Sequence, residues 1–533
     1  MTVLEKRLDE LRRAGRLGRA SGRSVGAIAI EKAREAPDHI VVVEGEREFS
    51  RAEMLDAALR LGGALLERGL APGDAIAFQL PNWWEACVIN LASCLFGFRV
   101  VPLLTIYRSA ELETILPACD VRAIFVPETY RGKDFAGQVA GLARPPAHVF
   151  TVRGAAGSES FESLLDHPSA SPRLPDGDDV KMILFTSGST GRPKGVLHSH
   201  ASVDAIISMV AAFWDVGTQD RLYVPSPIAH IGGSIYAFEF PWITGCRVVL
   251  AESWSPDRAI ADIESRGCTF MAGATPFLEG LIEASVRAGT RLPGLRRFIC
   301  GGASVPPELV RRGLERFPNA VVSRAYGSSE VPLVCPGIRD REDAALHADT
   351  DGECEAELRI LDSEGKPVAE GCSGEIAVRA PRMFLGYLEA EDDEGAFTED
   401  GFFMMGDLGR QVDGLYLQIT GRTKDIIIRK GENLSPLEIE NALSRHDAVR
   451  QAAVVGVPDR ERGEMVVAYV IPADGQAFSF DDMIAHLDAL GLAKQKFPER
   501  LMIAETLPVN TVGKVQKILL REQAIERIEG DEP

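Results

Sequence analysis

The sequence predicts an α/β protein of more than one domain, and three observations carry that expectation. At 533 residues the chain exceeds what one hydrophobic core ordinarily serves. Short apolar runs of strand length alternate with longer helical patterns, as in largely parallel sheets covered by helices. After about Gly352 the texture changes to short strands separated by turn signals, which marks a smaller β-rich subdomain.

The N-terminal residues have no apolar core of a signal peptide, and Glu5, Asp9 and Glu10 argue against a transit peptide, so a surface helix is expected there. Residues 40–43, 75–79, 123–126, 182–186, 248–251 and 298–300 read as strands, with helical patterns at 51–68 and 256–266. The most apolar stretch, 86–107, is interrupted by Asn90, Arg99 and Pro102; a buried helix followed by a buried strand explains it better than a membrane span. Residues 357–361 and 374–379 are the short strands of the β-rich part. The acidic stretch 389–400 reads as a solvated loop. A boundary falls near residues 421–424, giving a large domain over 1–422 and a small α+β domain over 424–533. In the latter, Ser435 is expected to cap a helix to residue 444, with Pro436 in its first turn and Glu438 completing a capping box. Strands at 452–457 and 466–471 and a helix at 481–490 follow.

Composition narrows the function. With 45% hydrophobic and 26% charged residues the chain is an ordinary soluble globular protein. A net charge of −20 repels phosphodiester backbones, so nucleic acid is not an expected partner. The nine cysteines include no CxxC pair and lie mostly in apolar surroundings, which points to reduced, buried thiols and a cytoplasmic location. Cysteine or histidine clusters at metal-ligand spacing are missing.

The sharpest local signal is Thr186-Ser187-Gly188-Ser189-Thr190-Gly191-Arg192-Pro193-Lys194-Gly195, directly after the apolar run 182–185. Glycines permit close approach of backbone N–H groups to an anion, four hydroxyls add donors, and Lys194 adds a point charge. The loop is built to grip a polyphosphate. It is not a Walker A loop, because Arg192-Pro193 follows Gly191 where that motif needs Lys-Ser/Thr.

This decapeptide resembles the phosphate-binding signature of the adenylate-forming superfamily, which includes acyl-CoA synthetases, adenylation domains and beetle luciferases. Companion motifs resemble the same family over nearly the whole chain. Tyr326-Gly327-Ser328-Ser329-Glu330 is similar to the family's Tyr-Gly-x-Thr-Glu element, which implies base stacking by Tyr326, a phosphate contact for Ser329 and a Mg²⁺ contact for Glu330. Gly301-Gly302-Ala303 resembles the turn that lies against adenine. Gly406-Asp407-Leu408 resembles the ribose site, with Met405 where the family usually has threonine. Gly374-Glu375-Ile376 and Gly386-Tyr387 match a further element of structural character. Gly421-Arg422-Thr423-Lys424-Asp425 resembles the segment whose arginine reaches ribose or phosphate and whose next lysine is the hinge. Gly431 falls near the family's pantetheine tunnel, Glu438 and Glu440 read as helix and capping residues, and Lys514 matches the catalytic lysine. The resemblance implies αβαβα layers in the large domain, a mobile C-terminal domain, and ATP, Mg²⁺ and CoA as reactants and cofactor.

Pro227 to Ser234 resembles the family element at the mouth of the acyl pocket, with His230 at the gate. Amino-acid-activating relatives carry an aspartate where this chain has Ile231, which disfavours α-amino acids. Together with Ser234, Ile235 and Phe277, the neighbourhood reads as an apolar acyl pocket. The expected substrate is an uncharged monocarboxylic acid, medium-chain or alicyclic, by resemblance to short/medium-chain fatty acyl-CoA ligases and cyclohexanecarboxylate-CoA ligases. The alternatives are an aryl- or fatty-acid adenylating enzyme that loads a carrier-protein thiol, and a non-catalytic nucleotide or acyl-adenylate binding protein. The sequence does not fix an oligomeric state; a homodimer is compatible with it.

Overall fold

The computed structural model describes residues 3–16, 23–154, 160–186, 192–430, 432–509 and 514–531. Two seven-stranded sheets form the body of the large domain. In the first, the spatial order is Val321–Arg324, Arg297–Cys300, Phe270–Gly273, Arg221–Val224, Arg247–Leu250, Ile40–Glu44 and Arg47–Ser50. Every pairing there is parallel except the last, a hairpin. In the second, Val180–Thr186, Arg99–Pro102, Ala75–Phe78, Val121–Pro127 and His148–Val152 run parallel. Lys194–Ser199 lies antiparallel between Val180–Thr186 and the short edge strand Gly386–Tyr387.

The cores explain the layering. One cluster joins inward residues of both sheets, such as Phe78, Phe125, Val224 and Leu250, to the helices Trp84–Phe96 and His200–Trp214 between them. A second cluster lies on the outer face of the first sheet under Pro256–Arg266, Thr275–Arg287 and Pro307–Arg316. A third covers the outer face of the second sheet with Ser109–Ala118 and the N-terminal helix Val3–Arg13, which inserts Leu4, Leu8 and Leu11. Helix, sheet, helix, sheet, helix is the expected αβαβα order. The apolar stretch at 86–107 is the middle-layer helix Trp84–Phe96 and the strand Arg99–Pro102; a helix enclosed by two sheets is apolar all round. Lys181 and Glu239 form a fully buried ion pair at 2.7 Å in this layer, and Asn90 donates to the same carboxylate oxygen. Removing one partner of such a pair costs about 3–5 kcal/mol.

A four-stranded antiparallel sheet, Glu357–Leu361, Gly374–Arg379, Phe403–Val412 and Tyr416–Arg422, forms the β-rich part. The turn after Arg422 leads to Ile427–Arg429, which belongs to a separate five-stranded sheet with Glu432–Leu434, Gly463–Pro472, Val449–Asp459 and Arg500–Ile503.

Two local expectations are corrected. Ser435 starts the helix Pro436–Leu443 but makes no capping bond; its hydroxyl donates to the Thr420 carbonyl, and Glu438 pairs with Lys496 at 2.7 Å. Tertiary partners, one across the linker and one within the small domain, take both groups from the helix end. The acidic stretch is not simply solvated. It contains the 3₁₀ turn Ala390–Asp393, whose Asp392 and Asp393 are tied by arginines and a lysine from elsewhere in the chain. Among the described residues, no helix is long and apolar enough to cross a membrane.

Candidate active site

Four successive strands of the first sheet end side by side, and each delivers one piece of the site at its carboxyl edge. Arg221–Val224 leads to residues 227–234, Phe270–Gly273 to Phe277, Arg297–Cys300 to residues 301–303, and Val321–Arg324 to residues 326–330. Ligands of open α/β sheets bind at this edge, because the loops there are free of ladder bonds and can be shaped for a ligand.

The floor is built by close packing. A Cβ on Gly301 would stand 2.8 Å from the Ala325 carbonyl oxygen, so only glycine lets these neighbouring turns meet. Gly302 follows at φ +82°, and Ala303 is half-buried beside it. Tyr326 leaves the next strand and its O–H donates to Asp407 Oδ2 at 2.8 Å, joining the first sheet to the β-rich part. Burial and the adjacent Asp407 raise the Tyr326 phenol well above its ordinary range, so it stays a donor. Asp407 is buried, and its Oδ1 lies 3.1 Å from Arg422 Nε on the paired strand. Each carboxylate oxygen keeps a further lone pair for a hydroxyl donor.

Residues 326–331 form a tight polar turn. Ser328 N–H bonds Val331 O at 3.1 Å, and Ser328 Oγ accepts from the N–H groups of Glu330 and Val331 at 3.2 Å each. The Ser329 carbonyl accepts from His198 Nε2 at 2.7 Å. Burial lowers the His198 imidazole to about 4, which keeps it neutral. Glu330 Oε1 accepts from Tyr387 O–H at 2.7 Å. Thus two side chains of the second sheet, His198 and Tyr387, hold the turn from below.

Thr186 ends its strand opposite Lys194, the first residue of the next. Ser187, Gly188, Ser189, Thr190 and Gly191 lie outside the described residues, as does Gly431. The Lys194 ammonium is 3.2 Å from Asp392 and 4.9 Å from the Tyr387 ring centre. Lys514 reaches the same region from the small domain. Burial, then the Arg422 guanidinium, lower its ammonium to about 8, against the opposing pull of Asp407 and Asp425. Lys424 is exposed in the turn after Arg422, and Thr423 anchors that turn to the Gly406 carbonyl at 2.9 Å.

The structure therefore joins Tyr326, Asp407 and Arg422 directly, with Lys514 near enough to feel Arg422 and Asp407, and joins Glu330, four residues after Tyr326, to Lys194 through Tyr387. His230 is the N-cap of the helix Ile231–Phe238, and its Nδ1 accepts from Gly232 N–H at 3.1 Å. That bond places the ring proton on Nε2, and burial lowers the imidazole to about 4. Ile231, Ser234 and Ile235 are buried on the same helix. Phe277, one strand away, packs against Trp254 at 4.7 Å between ring centres. Sequence reasoning assigned no chemistry to Tyr387, His198 or Asp392. Their partners lie 57 to 198 positions away or on another sheet, and no local pattern announces them.

Cations and a buried carboxylate gathered at the carboxyl edge of a parallel sheet are the setting in which α/β enzymes bind nucleotides. The AMP-binding enzyme family matches residues 30–388, and the C-terminal domain of the same family matches residues 438–514. The chain belongs to this family, within the adenylate-forming superfamily, and is an AMP-forming acid–thiol ligase. It is 34% identical to a medium-chain fatty-acid–CoA ligase of Escherichia coli (strain K12), over 100% of this chain and 95% of that protein. It is 32% identical to a 3-[(3aS,4S,7aS)-7a-methyl-1,5-dioxo-octahydro-1H-inden-4-yl]propanoyl:CoA ligase of Mycobacterium tuberculosis (strain ATCC 25618 / H37Rv), over 94% of this chain and 99% of that one. The crystal structure of ATP-bound MatB from Rhodopseudomonas palustris superposes with a TM-score of 0.83 at 29% identity, covering 94% of this chain and 98% of the other.

Proposed function

We propose that the chain activates a non-amino monocarboxylic acid, medium-chain or alicyclic, through an acyl-AMP intermediate and then transfers the acyl group to CoA, releasing AMP and pyrophosphate. The observation that carries this reading is the approach of Lys514, from the small domain, to the Asp407–Arg422 pair of the large one. A carboxylate attacking the α-phosphate brings two anions together, and fixed cations must offset their repulsion. Lys514 is suited to bridge the substrate carboxylate and the α-phosphate. Lys194 is suited to the β- and γ-phosphates, with Thr186, Ser328 and Ser329 supplying nearby polar groups. Asp407 would accept from the ribose hydroxyls, Arg422 would add charge beside them, and Tyr326 with Gly302, Ala303 and Gly327 would enclose the base.

Glu330 suits Mg²⁺, which is commonly held by one or two carboxylates together with phosphate oxygens. When bound, the ion would neutralise charge on the departing pyrophosphate. The neutral His230, with its Nε2 proton free for donation, and the apolar Ile231, Ile235 and Phe277 favour an uncharged acyl chain. The domains proposed to move, 1–422 and 424–533, meet at Lys424, and a swivel there would withdraw Lys514 and admit a thiol. The names of the relatives support CoA as acceptor and apolar acids as substrates.

The test is pyrophosphate release from aliphatic, alicyclic and aryl acids, followed by thioester formation with CoA and with a phosphopantetheinyl carrier protein. Medium-chain or alicyclic acids with CoA should give both products. Transfer only to the carrier protein would replace the proposed acceptor, and no pyrophosphate from any acid would defeat the reading. Lys514→Ala should lower adenylation by about 10²–10³ yet spare thioester formation from supplied acyl-AMP; equal loss in both steps would remove its role.

A further inference from the structure

The edge strand Gly386–Tyr387 and the 3₁₀ turn behind it link the two groups that would handle the triphosphate. Tyr387 O–H holds Glu330, and its ring lies beside Lys194. Five residues on, the Asp392 carboxylate bridges two cations: Oδ1 is 3.2 Å from Lys194 Nζ and Oδ2 is 3.0 Å from Arg192 Nη2. The orientation of this carboxylate is imposed by its neighbour. Asp393 Oδ1 accepts from Tyr387 N–H at 2.9 Å, while Oδ2 is held by Arg7 and, at 2.8 Å, by Arg16. Arg7 Nε also donates to the Tyr387 carbonyl at 2.7 Å. Arg7 is buried on the N-terminal helix, which the third core anchors through Leu4, Leu8 and Leu11. Arg16 lies over the Phe397 ring at 3.9 Å. A turn pinned so firmly, with the Asp392 carboxylate set on two cations, does more than cover a surface.

We propose that Asp392 is a positioning residue that holds Lys194 and Arg192 as an internal anion while the β- and γ-phosphates are absent and is displaced by them on binding. The proposal rests on the reading of Lys194 as the lysine of the triphosphate. A carboxylate and a phosphate compete for the same ammonium, so Asp392 weakens every ligand that carries those phosphates and leaves one without them untouched. It keeps Lys194 near its working place in the empty enzyme, and it favours release of pyrophosphate once the adenylate has formed. The N-terminal helix, through Arg7 and Asp393, sets where this internal anion stands.

Calorimetric titration of the full chain with AMP, with α,β-methylene-ATP and with pyrophosphate, each with Mg²⁺, separates the possibilities. Asp392→Asn should tighten the ATP analogue and pyrophosphate by about tenfold, a change of one decade in Kd, and leave AMP unchanged. Asp392→Glu should restore the natural values, and Asp392→Ser serves as the second removal should the asparagine variant fail to fold. Arg7→Gln should move the same two ligands in the same direction by less. Unchanged or weaker binding of the analogue in both removal variants overturns the proposal, and so does a change shared equally by AMP. Failure of the natural chain to bind AMP and the analogue at all would defeat the reading of the nucleotide site, an outcome distinct from the others.

Discussion

The role proposed for Lys514 depends on the charge of its amine, and its surroundings act on that charge. Its ammonium is lowered from 10.5 to about 8 by burial first and by Arg422 second, although Asp407 and Asp425 pull the other way. The sign of the consequence follows from which form works. The proposed bridging role needs the charged amine, and the charged fraction falls as pH rises past about 8. kcat/KM for ATP in pyrophosphate exchange, which reports free enzyme, should therefore be flat below that pH and decline on the alkaline side. Lys514→Arg should remove the alkaline decline, since a guanidinium stays charged, although its fork geometry should lower the plateau. An unchanged alkaline limb in the arginine variant would assign the titration elsewhere. His230 adds no limb between pH 5 and 8 of its own, because burial holds it neutral there and its Nδ1 is engaged by Gly232 N–H.

At the scale of elements, the site depends on turns that hold only because a strand edge fixes both ends. The turn at 326–331 is the clearest. A Cβ on Gly327 would lie 2.5 Å from Leu333 N and 2.9 Å from Val331 O, both backbone atoms with no rotamer to yield. Gly327→Ala must shift the turn that carries Ser328, Ser329 and Glu330. A small-to-large change of this kind costs about 1–3 kcal/mol. The larger effect should fall on function: KM for ATP should rise by about tenfold or more, since displacements near 1 Å are costly to positioned groups. Thermal melting and pyrophosphate release measured on the same preparation check both, and a variant that melts earlier yet keeps its ATP dependence would free the turn of its role. The same scale explains why Ser435 does not cap its helix. Its hydroxyl has a carbonyl partner on the strand before the linker, and that bond ties the small domain to Thr420.

For the molecule as a whole, what the sequence could show and what it could not divide along one physical line. Strands such as residues 357–361 and 374–379, and the helix at 256–266, are legible because period, caps and breakers are local properties, and they form where expected. Lys514 and Asp407 were named by resemblance to linear motifs. The bond between Tyr326 and Asp407, the hold of Tyr387 on Glu330 and the clamp of Arg7 on Asp393 could not be read, since they join positions 81, 57 and 386 apart and exist only once three sheets have packed. The turn at Thr423–Asp425 combines both kinds of information. A lysine before an aspartate between two strands is a plain polar turn in sequence. In space, Thr423 N–H and Oγ1 both bond the Gly406 carbonyl, so the segment adjoins Asp407 at one end and begins the small domain at the other. The swivel proposed for that domain would be absorbed by the backbone at Lys424. Lys424→Pro would lock φ near −65° at that position. If the present arrangement serves adenylation, acid-dependent pyrophosphate release should stay within about threefold of the natural chain while thioester formation from supplied acyl-AMP falls by about 10². The two half-reactions, timed separately by rapid quench, decide it: parallel losses would mean that the turn supports the site without serving as its hinge.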